Sequence, residues 1–161
     1  LPLLAAGLGS PLPEVRARAV QAIAEIPDAE ATALLRTALT DPDPTVRRRT
    51  ALALGTRRVA AAVPALIDMV VEAANDVEAA DALSELASDP ASADRIAAGL
   101  IDRLTGDAGV AGDPSARRRV AQALADIPGF AASRALADLA GDEDPGVALT
   151  AAYILKLRDA R

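Results

Sequence analysis

Three clusters of arginine are the residues of this chain best suited to chemistry: Arg16 and Arg18; Arg47, Arg48 and Arg49; Arg117, Arg118 and Arg119. Guanidinium groups grip phosphates and carboxylates through paired, planar hydrogen bonds. Each cluster therefore suits either an anion-binding surface or a ladder of structural ion pairs. The acidic counterpart is one segment in which Glu78, Asp81, Glu85 and Asp89 recur three or four residues apart. Covalent chemistry is poorly provided for. The chain has no His and no Cys, so it lacks the commonest general base and metal ligand and the thiolate nucleophile. Ser84, Ser88, Ser115 and Ser133 have no imidazole to activate them. Asp41-Pro-Asp43 and Asp142-Glu-Asp144 have a calcium-like look, but each pair precedes a proline and a helix, where aspartate serves as a cap. No catalytic residue, metal ligand or cofactor is expected.

The arginine clusters recur because the sequence around them recurs. Asp41-Pro-Asp-Pro-Thr-Val-Arg47 is restated at its opening by Asp142-Glu-Asp-Pro-Gly-Val147 and in its middle by Asp113-Pro-Ser-Ala-Arg-Arg-Arg119. Pro13-Glu-Val-Arg-Ala-Arg-Ala19 is another version. The first apolar residue of each copy is Val15, Val46, Ala116 or Val147, giving spacings of 31, 70 and 31 residues. The long interval holds one degenerate copy around Asp76 to Ala87. A shift of 101 carries Arg16, Arg18, Gln21, Ile26 and Pro27 onto Arg117, Arg119, Gln122, Ile127 and Pro128 without a gap. An internal repeat of this length predicts a solenoid, a fold that works by presenting a surface.

Composition points to helices. The chain of 161 residues is 52% hydrophobic but only 1% aromatic. Its apolar content is mostly Ala and Leu, which favour helix over strand. Such a core needs close helix approach. Each copy reads as two helices. The second, helix B, starts at the anchor: Asp43 can cap it and Pro44 can take its first position, as can Asp113-Pro114 and Asp144-Pro145. B helices are predicted over 14–26, 45–58, 76–88, 115–127 and 146–158. The first helices, A, are predicted over 1–8, 29–40, 59–74, 91–104 and 130–140. The apolar period buries Val15, Ala19, Ala22, Ile23 and Ile26, then Val46, Thr50, Ala53 and Leu54. Thr105-Gly-Asp-Ala-Gly-Val-Ala-Gly-Asp113 reads as a mobile Gly-rich insertion, with no preceding strand or following Lys-Ser/Thr to make it a phosphate loop.

At 100° per residue, Arg48 and Arg118 point away from the buried stripe and should be exposed, while the arginines on either side sit at its shoulders. Shoulder residues such as Arg47 are expected to pair with loop aspartates such as Asp41 and Asp43. Glu78, Asp81 and Glu85 form an exposed acidic face opposite Ala80, Leu83 and Ala87, placed to pair with neighbouring arginine-bearing helices. The last B helix differs. Val147, Ala151, Ile154 and Leu155 take its buried face, yet Leu149, Ala152 and Tyr153 stand where earlier copies place Ala17 and Gln21 or Arg118 and Gln122. Leu149 and Tyr153 are thus a candidate contact face, covered by further repeats, by a partner or by a second copy of the chain.

Two-helix repeats with Asp-x-Asp-Pro-x-Val-Arg leading into a helix that ends Ala-Leu-Gly, as at 41–55, resemble the HEAT-repeat family. They look most like the short bacterial HEAT-like repeats also found in phycobilisome lyases. The resemblance implies an all-α, right-handed solenoid of about five helical hairpins over 1–161, read as a single domain and a fragment of a longer protein. It implies an inner surface lined by B helices and a non-catalytic scaffold or protein-interaction role. The candidate partner-binding residues are then Arg16, Arg18, Arg47, Arg48, Arg49, Arg117, Arg118, Arg119, Glu78, Asp81 and Glu85. The alternatives are recognition of nucleic-acid backbone through the arginine clusters, or an accessory, lyase-like role with a small molecule. A net charge of −6 opposes binding to nucleic acid and to anionic membranes, and the scarcity of aromatic residues opposes the lyase-like role. No segment reads as membrane-spanning, and a cytoplasmic location is expected.

Overall fold

The computed structural model describes residues 1–106, 110 and 112–161. Among the described residues there are ten α-helices, two short 3₁₀ turns and no strand. The helices are α1 (Pro2–Leu8), α2 (Pro13–Ala24), α3 (Ala29–Thr37), α4 (Pro44–Thr56), α5 (Val63–Val71), α6 (Asp76–Leu86), α7 (Pro90–Gly106), α8 (Pro114–Leu124), α9 (Phe130–Leu139) and α10 (Pro145–Asp159). The 3₁₀ turns, Ala38–Thr40 and Ala60–Ala62, extend α3 and lead into α5. Helices alternate A and B as the repeat predicts, with B helices α2, α4, α6, α8 and α10. The predicted Gly-rich insertion falls partly on 107–109 and 111, outside the described residues, while Thr105 and Gly106 complete α7.

The starts of α4, α8 and α10 follow from their Asp-Pro pairs. Asp43 accepts from the Val46 amide at 3.1 Å, Asp144 from the Val147 amide at 3.0 Å, and Asp113 from the Ser115 amide at 3.0 Å. Each carboxylate satisfies an amide that the helix leaves without a partner, and the following proline has no amide to satisfy.

The chain forms two compact units, Leu1–Leu66 and Ile67–Arg161. In the first, α2 packs against α1, α3 and α4, around Val20, Ile23, Leu35, Val46 and Leu54. In the second, α8 packs against α6, α7, α9 and α10, around Leu83, Ile96, Leu100, Val120, Leu124, Leu136 and Val147. Small residues let these helices approach. A methyl group at Gly7 of α1 would stand 2.9 Å from the Ala19 Cβ of α2, closer than two carbons can sit.

The buried faces differ in detail from the helical period. On α2 the buried arc turns toward Ala17, Ala19, Val20 and Ile23, leaving Val15, Ala22 and Ile26 half-buried. On α4, Ala51 is buried and Ala53 is not; on α6, Ala79 is buried and Ala80 is not; on α10, Leu155 is half-buried. An ideal wheel centred on the anchor assumes one covering neighbour, whereas each B helix packs against more than one.

Candidate functional site

The arginines are best understood from what each guanidinium reaches. Arg16 of α2 grips Asp41 with both prongs, Nε to Oδ2 at 2.8 Å and Nη2 to Oδ1 at 3.0 Å, and gives Nη1 to the Ser10 carbonyl. Asp41 Oδ1 also takes the Asp43 amide at 2.9 Å. Arg117 of α8 repeats this on Asp142, at 3.1 and 3.0 Å, and Asp142 takes the Asp144 amide at 2.9 Å. Both pairs are largely buried: the side chains of Arg16 and Asp41 are 12% and 9% exposed, and those of Arg117 and Asp142 are 8% and 13% exposed. The arginine first, and the turn amide after it, hold the carboxyls of Asp41 and Asp142 below the usual carboxylate range. The expected ladder is therefore present as two rungs, one from α2 to the loop before α4 and one from α8 to the loop before α10.

Two shoulder arginines find carbonyls where carboxylates were expected. Arg47 Nη1 donates to the main-chain oxygens of Asp41 and Pro42, at 2.6 and 3.0 Å. Arg119 donates to Val70 and Val71 at 2.9 and 2.6 Å, where α5 ends. The unpaired carbonyls of a helix C-terminus carry partial negative charge and are fixed in place, so they hold a guanidinium well. Asp81 lines the same groove as Arg119. Among the described residues it makes no ion pair, and neither does Glu85. Glu78 accepts instead from Asn75. The expected pairing of the acidic face with α8 is thus absent among the described residues.

A second set of clamps lies at the other end of the B helices and was missed in the sequence. Arg57 donates to the carbonyls of Ile23, Ala24 and Ile26, where α2 ends, and to Thr32 Oγ1 at 2.9 Å. Arg158 donates to Leu124, Ala125 and Ile127 at 3.2, 2.9 and 2.7 Å, where α8 ends, and to Ser133 Oγ at 3.0 Å. Burial pushes the Arg158 guanidinium below its ordinary value. The shift of 101 residues pairs Arg57 with Arg158 and Thr32 with Ser133, so continuing the alignment past Leu54 would have found both clamps.

What the fold does not tie down forms the candidate surface. Arg18, Arg49 and Arg118 are exposed. Arg118 was expected to be so, but Arg48 is half-buried and Arg49 takes the open position. The wheel places a Cβ, while a long arm decides where its charge lies. Arg18 and Arg49 line an open groove with Glu14, Ala17, Asp43 and Thr45, and Arg49 makes one long contact with Gln21 Oε1 at 3.4 Å. Glu78, Asp81 and Glu85 are exposed on α6, and Leu149 and Tyr153 are exposed on α10. Among the described residues no cluster of acids could hold a metal ion, and no helix is long and apolar enough to cross a membrane.

This architecture of short helical pairs, with an Asp-Pro start to the B helix and an arginine reaching the next loop, is that of a helical-repeat protein. The profile of HEAT repeats matches residues 1–87, and the chain belongs to the HEAT-repeat family. That match does not single out the lyase-like repeats. No curated protein matches the chain. Among solved structures the chain is similar to the crystal structure of an engineered protein, at 24% identity and a TM-score of 0.55, over 94% of this chain and 76% of that one. The likeness shows the fold alone, the all-α solenoid class.

Proposed function

We propose that the chain is a non-catalytic protein-interaction module that binds through the exposed face of its B helices. The observation that carries this reading is the division of the arginines. Arg16, Arg47, Arg57, Arg117, Arg119 and Arg158 are held by carboxylates or carbonyls of neighbouring turns, whereas Arg18, Arg49 and Arg118 extend into solvent. Among the described residues none of these three is held by a carboxylate or a main-chain carbonyl, and Arg49 makes only the long contact with Gln21. Within the second unit, the exposed acids of α6 and Arg118 of α8 present both signs of charge. Mixed signs favour a charge-patterned protein over a uniform polyanion, and the net charge of −6 opposes nucleic acid. HEAT repeats as a family present surfaces, which supports the same reading. A cytoplasmic location is part of this proposal, since a chain without cysteine needs no oxidising compartment for its fold.

The test is the double variant Arg18→Glu/Arg49→Glu. Affinity capture with quantitative mass spectrometry should show a defined set of proteins lost relative to wild type, at a melting temperature within about 2 °C of it, because exposed charges contribute little to stability. Retention of every partner by the variant would count against this face. A generic duplex is titrated in parallel across a salt series. Binding tighter than about micromolar at physiological salt, falling steeply as salt rises, would favour backbone recognition instead.

A further inference from the structure

Helix α10 carries a face that its own packing leaves open. Leu149 is 73% exposed, Tyr153 65% and Leu157 45%. They stand at i, i+4 and i+8, and with Gly146 they fall within about 80° of one another around the helix. The same positions counted from α8 are Arg118, Gln122 and Asp126; counted from α2 they are Ala17, Gln21 and Glu25. The repeat therefore does not require apolar residues there. The chain has a single tyrosine, and it lies exposed at the centre of this stripe.

The head of the stripe carries both signs. A methyl group at Gly146 would stand 3.1 Å from Asp144 Oδ2 and 3.6 Å from Arg118 Nη1, so the Arg118 guanidinium reaches the first turn of α10 there. Arg118 has no ion-pair partner among the described residues. The carboxylate of Asp144 is nearby but is held by the Val147 amide at 3.0 Å. Lys156, also exposed, borders Tyr153 one turn on.

We infer that this face receives a short amphipathic helix from a protein partner, with apolar residues one turn apart against Leu149, Tyr153 and Leu157 and a carboxylate against Arg118. This rests on the interaction-module reading and adds a site and a partner chemistry to it. The stripe runs about 12 Å along α10, the footprint of a helix docked by i and i+4 anchors. A second copy of the chain fits less well. A stable dimer interface takes about 20–30 residues from each side, and three apolar side chains bounded by Arg118 and Lys156 do not supply them. A phosphate backbone would use Arg118 but leave the apolar stripe in water.

Because the chain has one Tyr and no Trp, its intrinsic emission reports this face alone. The probe is a synthetic sixteen-residue helical peptide lacking aromatic residues, with leucines four apart and glutamates at its flank; its control carries lysines for the glutamates. The acidic peptide should change the Tyr153 emission saturably, and the basic one should bind about tenfold or more weaker. The Leu149→Gln/Leu157→Gln variant, which keeps the fluorophore, should lose about tenfold or more in affinity, as expected for removal of central apolar anchors. Arg118→Glu should reverse the preference between the peptides. Equal binding of the two peptides, no saturable response, or wild-type affinity in Leu149→Gln/Leu157→Gln overturns the inference. So does a dimer in sedimentation that this double variant abolishes, since the occupant would then be a second copy. If Arg18→Glu/Arg49→Glu loses the peptide and Leu149→Gln/Leu157→Gln keeps it, the interaction module stands and this site is wrong.

Discussion

Arg117 and Asp142 face each other 25 residues apart in sequence, joined by two hydrogen bonds of 3.1 and 3.0 Å, and Asp142 turns the chain into α10 by accepting the Asp144 amide. One carboxylate thus ties α8 to the next repeat and shapes the start of that repeat. Asp142→Ala removes both contacts and is expected to cost about 1–3 kcal/mol in urea unfolding, the range for hydrogen bonds to charged groups. Asp142→Asn keeps an acceptor for the turn and should cost less. Equal losses would mean that the turn contact contributes nothing.

The acid limb of the stability curve should carry the mark of both pairs. Asp41 and Asp142 have folded pKa values below the ordinary range because of their arginines. Between the folded and unfolded values the unfolded chain binds more protons, so stability rises with pH there. The contribution is complete above the unfolded aspartate value, about 3.9, and is lost as pH falls from there through the depressed values. Asp41→Asn/Asp142→Asn should therefore be less stable at neutral pH, with a flatter slope below about pH 4. A slope as steep as wild type would show that other carboxylates govern acid unfolding.

Arg158→Lys should behave unlike a conservative change. An ammonium is a point donor and cannot span the three carbonyls at the end of α8 together with Ser133. A loss of about 1.5–3 kcal/mol is expected, with faster amide exchange in the turn after Leu124. Ser133→Ala should cost only a fraction of this, because the carbonyl contacts survive it. If the lysine variant is as stable as wild type, the clamp is not what holds the end of α8.

Two glycines with similarly close neighbours should respond differently to alanine. A Cβ at Gly7 meets the Ala19 Cβ at 2.9 Å, and one at Gly99 meets Ile67 Cδ1 at 2.7 Å. Ala19 has no torsion with which to yield, whereas Ile67 can turn its terminal methyl aside. Gly7→Ala should destabilise by about 1–3 kcal/mol through overpacking. Gly99→Ala should be near neutral, since the helix gains about 1 kcal/mol from the loss of glycine. Thermal melts of the two variants make the comparison.

Thr50 is fully buried and gives its hydroxyl to the Val46 carbonyl at 2.7 Å, within its own helix. Thr50→Val replaces it with a side chain of the same shape and leaves that carbonyl in its helical bond. The change should lie within about 1 kcal/mol of neutral, on the stabilising side if burial of the extra methyl outweighs the lost hydrogen bond. A loss well beyond that would mean that the hydroxyl has a role outside its own turn.

The sequence alone determined the repeat, the helix starts and the ladder as a kind of interaction. Those features are local or periodic: Asp43 caps the Val46 amide three residues on, and a spacing of 31 residues carries α2 onto α4 and α8 onto α10. A shift of 101 even held the signal for Arg57 and Arg158, because the same clamp was written twice. Only the tertiary structure decided which arginine goes where. Arg16 and Arg117 take carboxylates, Arg47 and Arg119 take carbonyls, and Arg49 rather than Arg48 takes the open position. A guanidinium sits several bonds from its Cα, so its destination depends on which acceptors the neighbouring helices bring within reach. A helical wheel fixes the direction in which an arm starts, and the packing of the next helix fixes where it ends.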